Sequence, residues 1–362
     1  MIRSGSTVVV AMSGGVDSSL AAALLVEQGH RVVGVTMKTF CYEGAIENSR
    51  TCCGLDGILD ARRVCDTLDI PHYVFDLEES FAEAVIDDFV DEYVAGRTPN
   101  PCVRCNSNTK IPELLRRARM FGADRIATGH YARMVRDGDD SRLLRGVDRR
   151  KDQSYFLWAL PREVLQHLDF PVGELTKDEV RRRAAQLELA TADKPESQEI
   201  CFVPSNDYGQ FLAHRLGADH PSLRPGTIVR RDGSAVGTHE GYGRYTVGQR
   251  RRLGGGARQR LYVLEVRPER NEVVVGESAD LYGGWVRLID LNWFDGAPAP
   301  GETVQVQIRH GGRAVAARVE ATDADELMLR LDEPQRAITP GQSGAVYRGE
   351  ELLGGGRIAR AA

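Results

Sequence analysis

From Thr7 to about Thr128, short apolar runs alternate with stretches of helical period. The runs Thr7–Met12, Arg31–Lys38, His72–Leu77 and Asp124–Thr128 predict strands, and Ser18–Gln28, Gly57–Asp69, Leu77–Ala95 and Asn108–Phe121 predict helices. Strands that are apolar along their length and separated by helices indicate a parallel sheet covered on both faces, an α/β doubly wound domain. Gly29 and Gly122 directly follow two of these helices and are expected as left-handed stops.

Between about 140 and 220 the pattern turns polar and helical. Its clearest amphipathic helix is Lys177–Leu189, with Thr176 as N-cap and Glu179 as capping-box partner. Beyond Pro225 the runs Gly226–Val229, Arg260–Val266, Glu272–Val275, Trp285–Leu291, Thr303–Arg309, Ala314–Glu320, Leu327–Leu331 and Ala345–Arg348 are short and β-rich, with Asp232-Gly233 and Gly311-Gly312 between them. Strands at that spacing with no helix between them indicate small β-barrels. The expected organisation is therefore an α/β domain over 1–140, a basic helical extension over 141–220, a small central β-rich domain over 221–284 and a C-terminal β-barrel over 285–362. No internal repeat is present, and low complexity is confined to Gly254–Gly256 and Gly354–Gly356.

The chain has 362 residues, 42% hydrophobic and 27% charged, and no apolar run approaches the roughly 18 residues of a membrane span. No apolar leader precedes the first strand, so a cytoplasmic location without membrane association is expected. Net charge is −5, but unevenly spread: residues 1–100 carry 7 Lys and Arg against 16 Asp and Glu, residues 101–260 carry 29 against 20, and residues 261–362 carry 11 against 16. A basic middle suggests a polyanion lying across it.

Ser13-Gly14-Gly15-Val16-Asp17-Ser18-Ser19 stands between the first strand and the first helix. Paired glycines let backbone approach a phosphate, the Ser13, Ser18 and Ser19 hydroxyls add donors, and the helix N-terminus adds its positive end. No Gly-Lys-Ser/Thr follows, so this is not a Walker A loop. SGGxDS here resembles the PP-loop of the ATP pyrophosphatases, which transfer AMP to a carbonyl oxygen and release pyrophosphate.

The seven cysteines are Cys41, Cys52, Cys53, Cys65, Cys102, Cys105 and Cys201. An odd count argues against a disulfide framework, and Cys41 and Cys65 are expected as packing residues. In Asn100-Pro101-Cys102-Val103-Arg104-Cys105 the second thiol is expected just ahead of a helix, whose dipole, with Arg104, would favour its thiolate. A lone CxxC can be a redox pair, half of a metal site or two incidental thiols. Zinc is disfavoured, because Cys52-Cys53 lacks the spacing to supply the other ligands.

The runs SGGVDSS (13–19), NPCVRCN (100–106), ATGHYAR (127–133), KDQSYFLW (151–158), SQEICF (197–202), YTVGQRR (245–251) and PGQSGAVYRGEELLGGGRI (340–358) together resemble, in order and spacing, the MnmA family of bacterial tRNA-specific 2-thiouridylases. The resemblance covers essentially the whole chain. It implies ATP-dependent, Mg²⁺-supported 2-thiolation of the wobble uridine of tRNA, by adenylation of the C2 oxygen and sulfur transfer from a protein persulfide. By the same resemblance ATP lies against Ala11, Met12, Ser13, Gly14, Gly15, Val16, Asp17 and Ser18, with Met37 and Gly129 closing the nucleotide pocket. Cys105 is implied as nucleophile and Cys201 as persulfide carrier, the two pairing as a disulfide after turnover. His130, Lys151, Asp152, Gln153 and Gln342 are implied to face the tRNA anticodon stem-loop, and a cysteine desulfurase or sulfur-relay protein is implied as persulfide donor. Many members carry Asp where this chain has Cys102, so a base role for that Asp does not transfer. Cys102, Cys105 and Cys201 are instead an alternative ligand set for an iron–sulfur cluster. Other readings are a different PP-loop adenylating ligase, which would need no cysteine pair, and a non-catalytic tRNA-binding protein.

Overall fold

The computed structural model describes residues 5–40, 55–138, 140–196, 200–203, 207–253 and 260–360. Contacts divide the chain into two compact units: residues 1–85, 102–202 and 350–353 form the first, and residues 86–101, 203–349 and 354–362 the second.

The first unit is built on a five-stranded sheet of β1 (Thr7–Ala11), β2 (Arg31–Lys38), β3 (His72–Asp76), β4 (Arg125–Ala127) and β7 (Leu168–Asp169), in the order β3-β2-β1-β4-β7. Every pairing is parallel, with Val8↔Val32 on one side of β1 and Val8↔Arg125 on the other. Val8, Val9 and Val10 are fully buried, as central parallel strands covered on both faces require. Helix Val16–Glu27 buries residues on every side, and Gly29 at φ 79° ends it; Gly122 at φ 68° similarly follows helix Ile111–Met120. The capping box at Thr176 is present, and helix Lys177–Gln186 packs Val180 and Ala184 into the same core as Leu20 and Leu24. The chain winds outward from β1 through β2 to β3 and then returns to β4 on β1's other side. A crevice therefore opens between the carboxyl ends of β1 and β4, where ligands bind in open parallel sheets.

Three features differ from the sequence expectation. The segment expected as one helix over Leu77–Ala95 is interrupted by a π-helical turn at Ala82–Asp87. The helix expected from Asn108 begins at Pro101, whose fixed φ suits a first helical position, and continues through a π turn at Cys105–Lys110. Cys105 thus lies inside a helical run, not ahead of one. Finally, part of the stretch expected as helical is a hairpin, β5 (Ala132–Asp137) with β6 (Asp140–Arg145), to which Glu351 and Leu352 add by pairing with Leu144 and Leu143.

In the second unit Gly226–Arg230, Ala235–His239, Tyr262–Arg267 and Glu272–Gly276 form a four-stranded sheet over Ile228, Val263, Val273 and Val275. Six further strands, from Tyr282–Trp293 to Glu351–Ile358, close on themselves because the first also pairs with the last, Leu288↔Ile358. Alternation fills this barrel: Ala317 and Val319 point inward and are buried, while Arg318 and Glu320 face out. The C-terminal barrel is as expected. Among the described residues no helix is long and apolar enough to cross a membrane.

Candidate functional site

At the β1/β4 crevice of the first unit lie two cavities that share Ser13, Asp17 and Gln153 as lining. One, of about 270 Å³, is bounded by Ala11, Met12, Ser18, Met37, Thr128, Gly129 and His130, with Asn106, Lys110, Ile111 and Leu114 from the cysteine-bearing helical run. The other, of about 560 Å³, is bounded by Gly14, Gly15, Val16, Asp56, Asp60, Arg63, Tyr131, Lys151, Lys177, Lys194 and Glu196. Every residue expected to hold ATP lines one or the other.

The loop between β1 and the first helix is held by its own hydroxyls. Ser18 Oγ and Ser19 Oγ donate to the Gly15 carbonyl at 3.0 and 2.9 Å, and Ser13 N donates to Ser18 Oγ at 3.2 Å. Gly15 is the helix N-cap and supplies no side-chain cap, so the first-turn N–H groups remain open to a ligand. Two glycines are required by close approach. Gly14 has φ 69°, and a Cβ there would lie 2.1 Å from Gly57 O; a Cβ on Gly129 would lie 2.6 Å from Ser18 N. Gly129 therefore lets the end of β4 touch the loop and leaves the crevice narrow and apolar on the Met37 and Leu114 side.

The larger cavity has a charged wall. Lys177 Nζ lies 2.8 Å from both carboxylate oxygens of Asp17 and 2.9 Å from Glu196, and Tyr131 OH donates to Asp17 Oδ1 at 2.7 Å. Glu196 also receives Lys151 at 2.7 Å, while Lys194 Nζ donates to Gly14 O at 2.8 Å and to Asp60 at 2.6 Å. Burial opposes ionisation of Glu196, but the bonds from Lys151 and Lys177 outweigh it and hold the carboxyl below its ordinary range. Burial, reinforced by the charge of Asp17, pushes the Tyr131 hydroxyl up, so it stays a donor. Lys177, Lys194, Arg63 and Tyr131 were not among the residues expected from sequence.

The residues expected to face RNA are dispersed. His130 lines the smaller cavity, its Nδ1 2.8 Å from Thr128 Oγ1 and its ring edge-on to Phe170; burial and then the charge of Lys110 bring its pKa down to about 4. Lys151 lines the charged cavity. Asp152 is turned inward, its carboxylate accepting from Arg145, Gly146 N and Ser154, so it scaffolds its own turn. Gln153 accepts from Tyr131 N at 3.0 Å. Gln342, in the second unit, donates to the carbonyls of Thr98 and Pro99 at 2.9 and 3.0 Å, bracing the backbone that leads into Asn100-Pro101.

Among the cysteines, Cys65 is fully buried under Gly34, as a packing residue should be, and its thiol is pushed up to about 12 by burial and then Asp66. Cys41, Cys52 and Cys53 lie outside the described residues. Cys105 is buried, its neighbour Asn106 lines the smaller cavity, and Asn106 Nδ2 donates to Phe156 O at 3.4 Å. Phe202, beside Cys201, meets Phe81 edge-on at 5.7 Å, and the short helix Glu78–Phe81 packs against the Cys105–Lys110 turn, so both cysteine segments gather around Phe81. Cys102 is exposed whereas Cys105, one turn along, is buried. Among the described residues no three His, Cys, Asp or Glu side chains form a metal site. The three-thiolate cluster set is not assembled among the described residues.

Residues 6–205, more than half of the chain, match a family model described as tRNA methyl transferase HUP domain; 209–277 match the PRC-barrel domain of the same series, and 285–358 an aminomethyltransferase beta-barrel domain. Full-length relatives are named for thiolation instead. The tRNA-specific 2-thiouridylase MnmA of Carboxydothermus hydrogenoformans is 49% identical over 357 residues, covering 97% of each chain, and that of Geobacter metallireducens is 49% identical over 356 residues, covering 97% of this chain and 96% of the relative. The chain belongs to the tRNA-specific 2-thiouridylase family. Among solved structures, the U34-tRNA thiolase NcsA of Methanococcus maripaludis is 21% identical, with a TM-score of 0.36 over 60% of this chain and 69% of that one. The SGGVDSS loop, Cys102, Cys105 and Cys201 all fall within the segment that matches the first of the family models.

Proposed function

We propose that this chain is an ATP-dependent tRNA-uridine 2-sulfurtransferase acting on the wobble base. One observation carries the reading: a nucleoside-sized cavity lined in part by Met37, Ile111 and Leu114 and a lysine-walled cavity meet at Ser13 and Asp17, and the cysteine-bearing helical run closes the nucleoside side. Membership of the thiouridylase family supplies the substrate.

ATP would place its adenosine along Met37, Gly129 and Leu114 and its phosphates across the loop. Mg²⁺ would accompany the phosphates and supply charge neutralisation there. Uridine O2 attacks the α-phosphorus, the bond to the bridging oxygen breaks with its electron pair leaving in pyrophosphate, and the N3 proton is lost, to be regained when the thiolated base is released. The O-adenylate makes AMP a leaving group at C2. A persulfide on Cys201 adds its terminal sulfur to C2 and AMP departs; the Cys105 thiolate then attacks Cys201 Sγ, giving 2-thiouridine and a Cys105–Cys201 disulfide. A thiol reductant and a persulfide donor reset the enzyme.

His130 serves the reacting end of the RNA, Lys151 borders the phosphate cavity, and Gln342 braces the backbone at Thr98 and Pro99. Residues 1–140 hold the nucleotide, the basic extension 141–220 binds tRNA and carries Cys201, and the β-rich parts 221–284 and 285–362 grip the RNA away from the chemistry, in the cytoplasm. Incubation with tRNA, ATP, Mg²⁺ and a sulfur source, followed by nucleoside mass spectrometry, tests this: 2-thiouridine at position 34 with one AMP and one pyrophosphate per base is expected, and its absence refutes the reading.

A further inference from the structure

We propose that Lys177 and Lys194 are catalytic residues of the adenylation step, two ammonium groups that take hold of the pyrophosphate as it forms. The inference rests on the adenylating function above and names the groups that work opposite the PP-loop.

Both lysines come from far downstream and both end on the loop: Lys177 on Asp17, Lys194 on the Gly14 carbonyl. The Lys177 side chain is only 8% exposed. Lysine is almost never buried without a partner or a task. Its position is also against the helix: Lys177 is the first residue of Lys177–Gln186, where the macrodipole repels a cation. The ammonium is held there against that repulsion, next to a 560 Å³ space that Arg63 and Lys151 also border. That space lies across Ser13 and Asp17 from the nucleoside cavity, where the β- and γ-phosphates of an ATP seated at Gly129 must go.

When the bond from the α-phosphorus breaks, the bridging oxygen keeps the electron pair and becomes a terminal oxygen of pyrophosphate. An ammonium already positioned there is worth more in the transition state than in the ground state, which is the condition for raising a rate. The carboxylates are the exchange partners. Lys177 gives up Glu196, which keeps Lys151, and Lys194 gives up Asp60, so neither lysine needs an empty site in order to wait.

The test uses the full chain with Lys177→Met and Lys194→Met, measuring pyrophosphate release in a single turnover with tRNA, and calorimetric affinity for inorganic pyrophosphate and, separately, for AMP. Each variant should release pyrophosphate about a hundredfold more slowly, as loss of one transition-state donor does. Each should bind inorganic pyrophosphate at least about tenfold more weakly, as loss of a charge-assisted contact does. Affinity for AMP should stay unchanged. A purely structural role would weaken AMP and pyrophosphate binding in parallel, and that result overturns the inference, as does unchanged pyrophosphate release. Should Lys177→Met fail to fold, Lys194→Met, at a one-third exposed side chain, decides alone. A wild-type protein that makes no 2-thiouridine refutes the function instead; a thiolating wild type beside an unimpaired Lys194→Met refutes only this assignment.

Discussion

The Asp17–Lys177 pair offers a quantitative check on the charged cavity in the absence of nucleotide. Opposite unit charges about 4 Å apart attract by about 4 kcal/mol at an effective dielectric of about 20. Removing one member of a buried pair usually costs about 3–5 kcal/mol, because the other charge is stranded. Here Lys177 keeps Glu196 at 2.9 Å, and the Asp17 side chain is 29% exposed, so water and a second carboxylate absorb part of the loss. Asp17→Ala should therefore destabilise by about 2 kcal/mol, part of it from the Tyr131 hydroxyl losing its acceptor. Asp17→Asn should lose less, since its amide oxygen still accepts from Tyr131. In a cycle with Lys177→Met the coupling energy should be about 1–2 kcal/mol. Urea unfolding followed by the fluorescence of Trp158, buried in the same unit, reads it out. A coupling under about 0.5 kcal/mol would mean that the pair is not formed in solution, and the description of this wall would be wrong.

Cys105→Ser and Cys201→Ser should each abolish 2-thiouridine while pyrophosphate release continues, and Cys102→Ser should retain measurable thiolation; an inactive Cys102→Ser overturns the two-thiol route. His130, held near pKa 4, is neutral in the folded chain at pH values where the unfolded chain protonates it at about 6.5. Stability should therefore fall as pH drops from about 6.5 to about 4, by up to about 3 kcal/mol from this group, and the fall should be shallower in His130→Asn. Equal acid slopes in equilibrium unfolding would refute the assignment.

The parallel sheet and the loop were legible because their signals are local: a β-branched run, paired glycines, then a helix. The start of the cysteine helix was not, because Cys105–Lys110 is polar and carries no amphipathic period, although Pro101 was a readable first-position residue. The hairpin Ala132–Arg145 was hidden by its charged outer face, and β7, only two residues long, was below any pattern. Gly354–Gly356, seen as low complexity, is barrel strand: a Cβ at any of the three would fall within 2.7 Å of Asn292, Gly344 or Ile289 backbone oxygen. Nothing local in the sequence singles out Lys194. For Lys177 a signal existed, a cation in the first turn of a capped helix, and it marked the site more directly than its place in a basic segment.

The carboxylates among the lysines have a consequence for selectivity. Among the described residues, Arg63, Lys151, Lys177 and Lys194 face Asp17, Asp56, Asp60 and Glu196, so the described lining carries no net charge. An enzyme that handles RNA is surrounded by backbone phosphates, and an open nest of four cations would trap them. A phosphodiester offers one charge and must break an existing pair to dock, whereas a triphosphate anchored by its adenosine brings several charges to the same place at once. Capture of ATP is thus a trade of partners and not a gain of counter-charge, and its affinity should change little with ionic strength while the affinity for tRNA falls steeply.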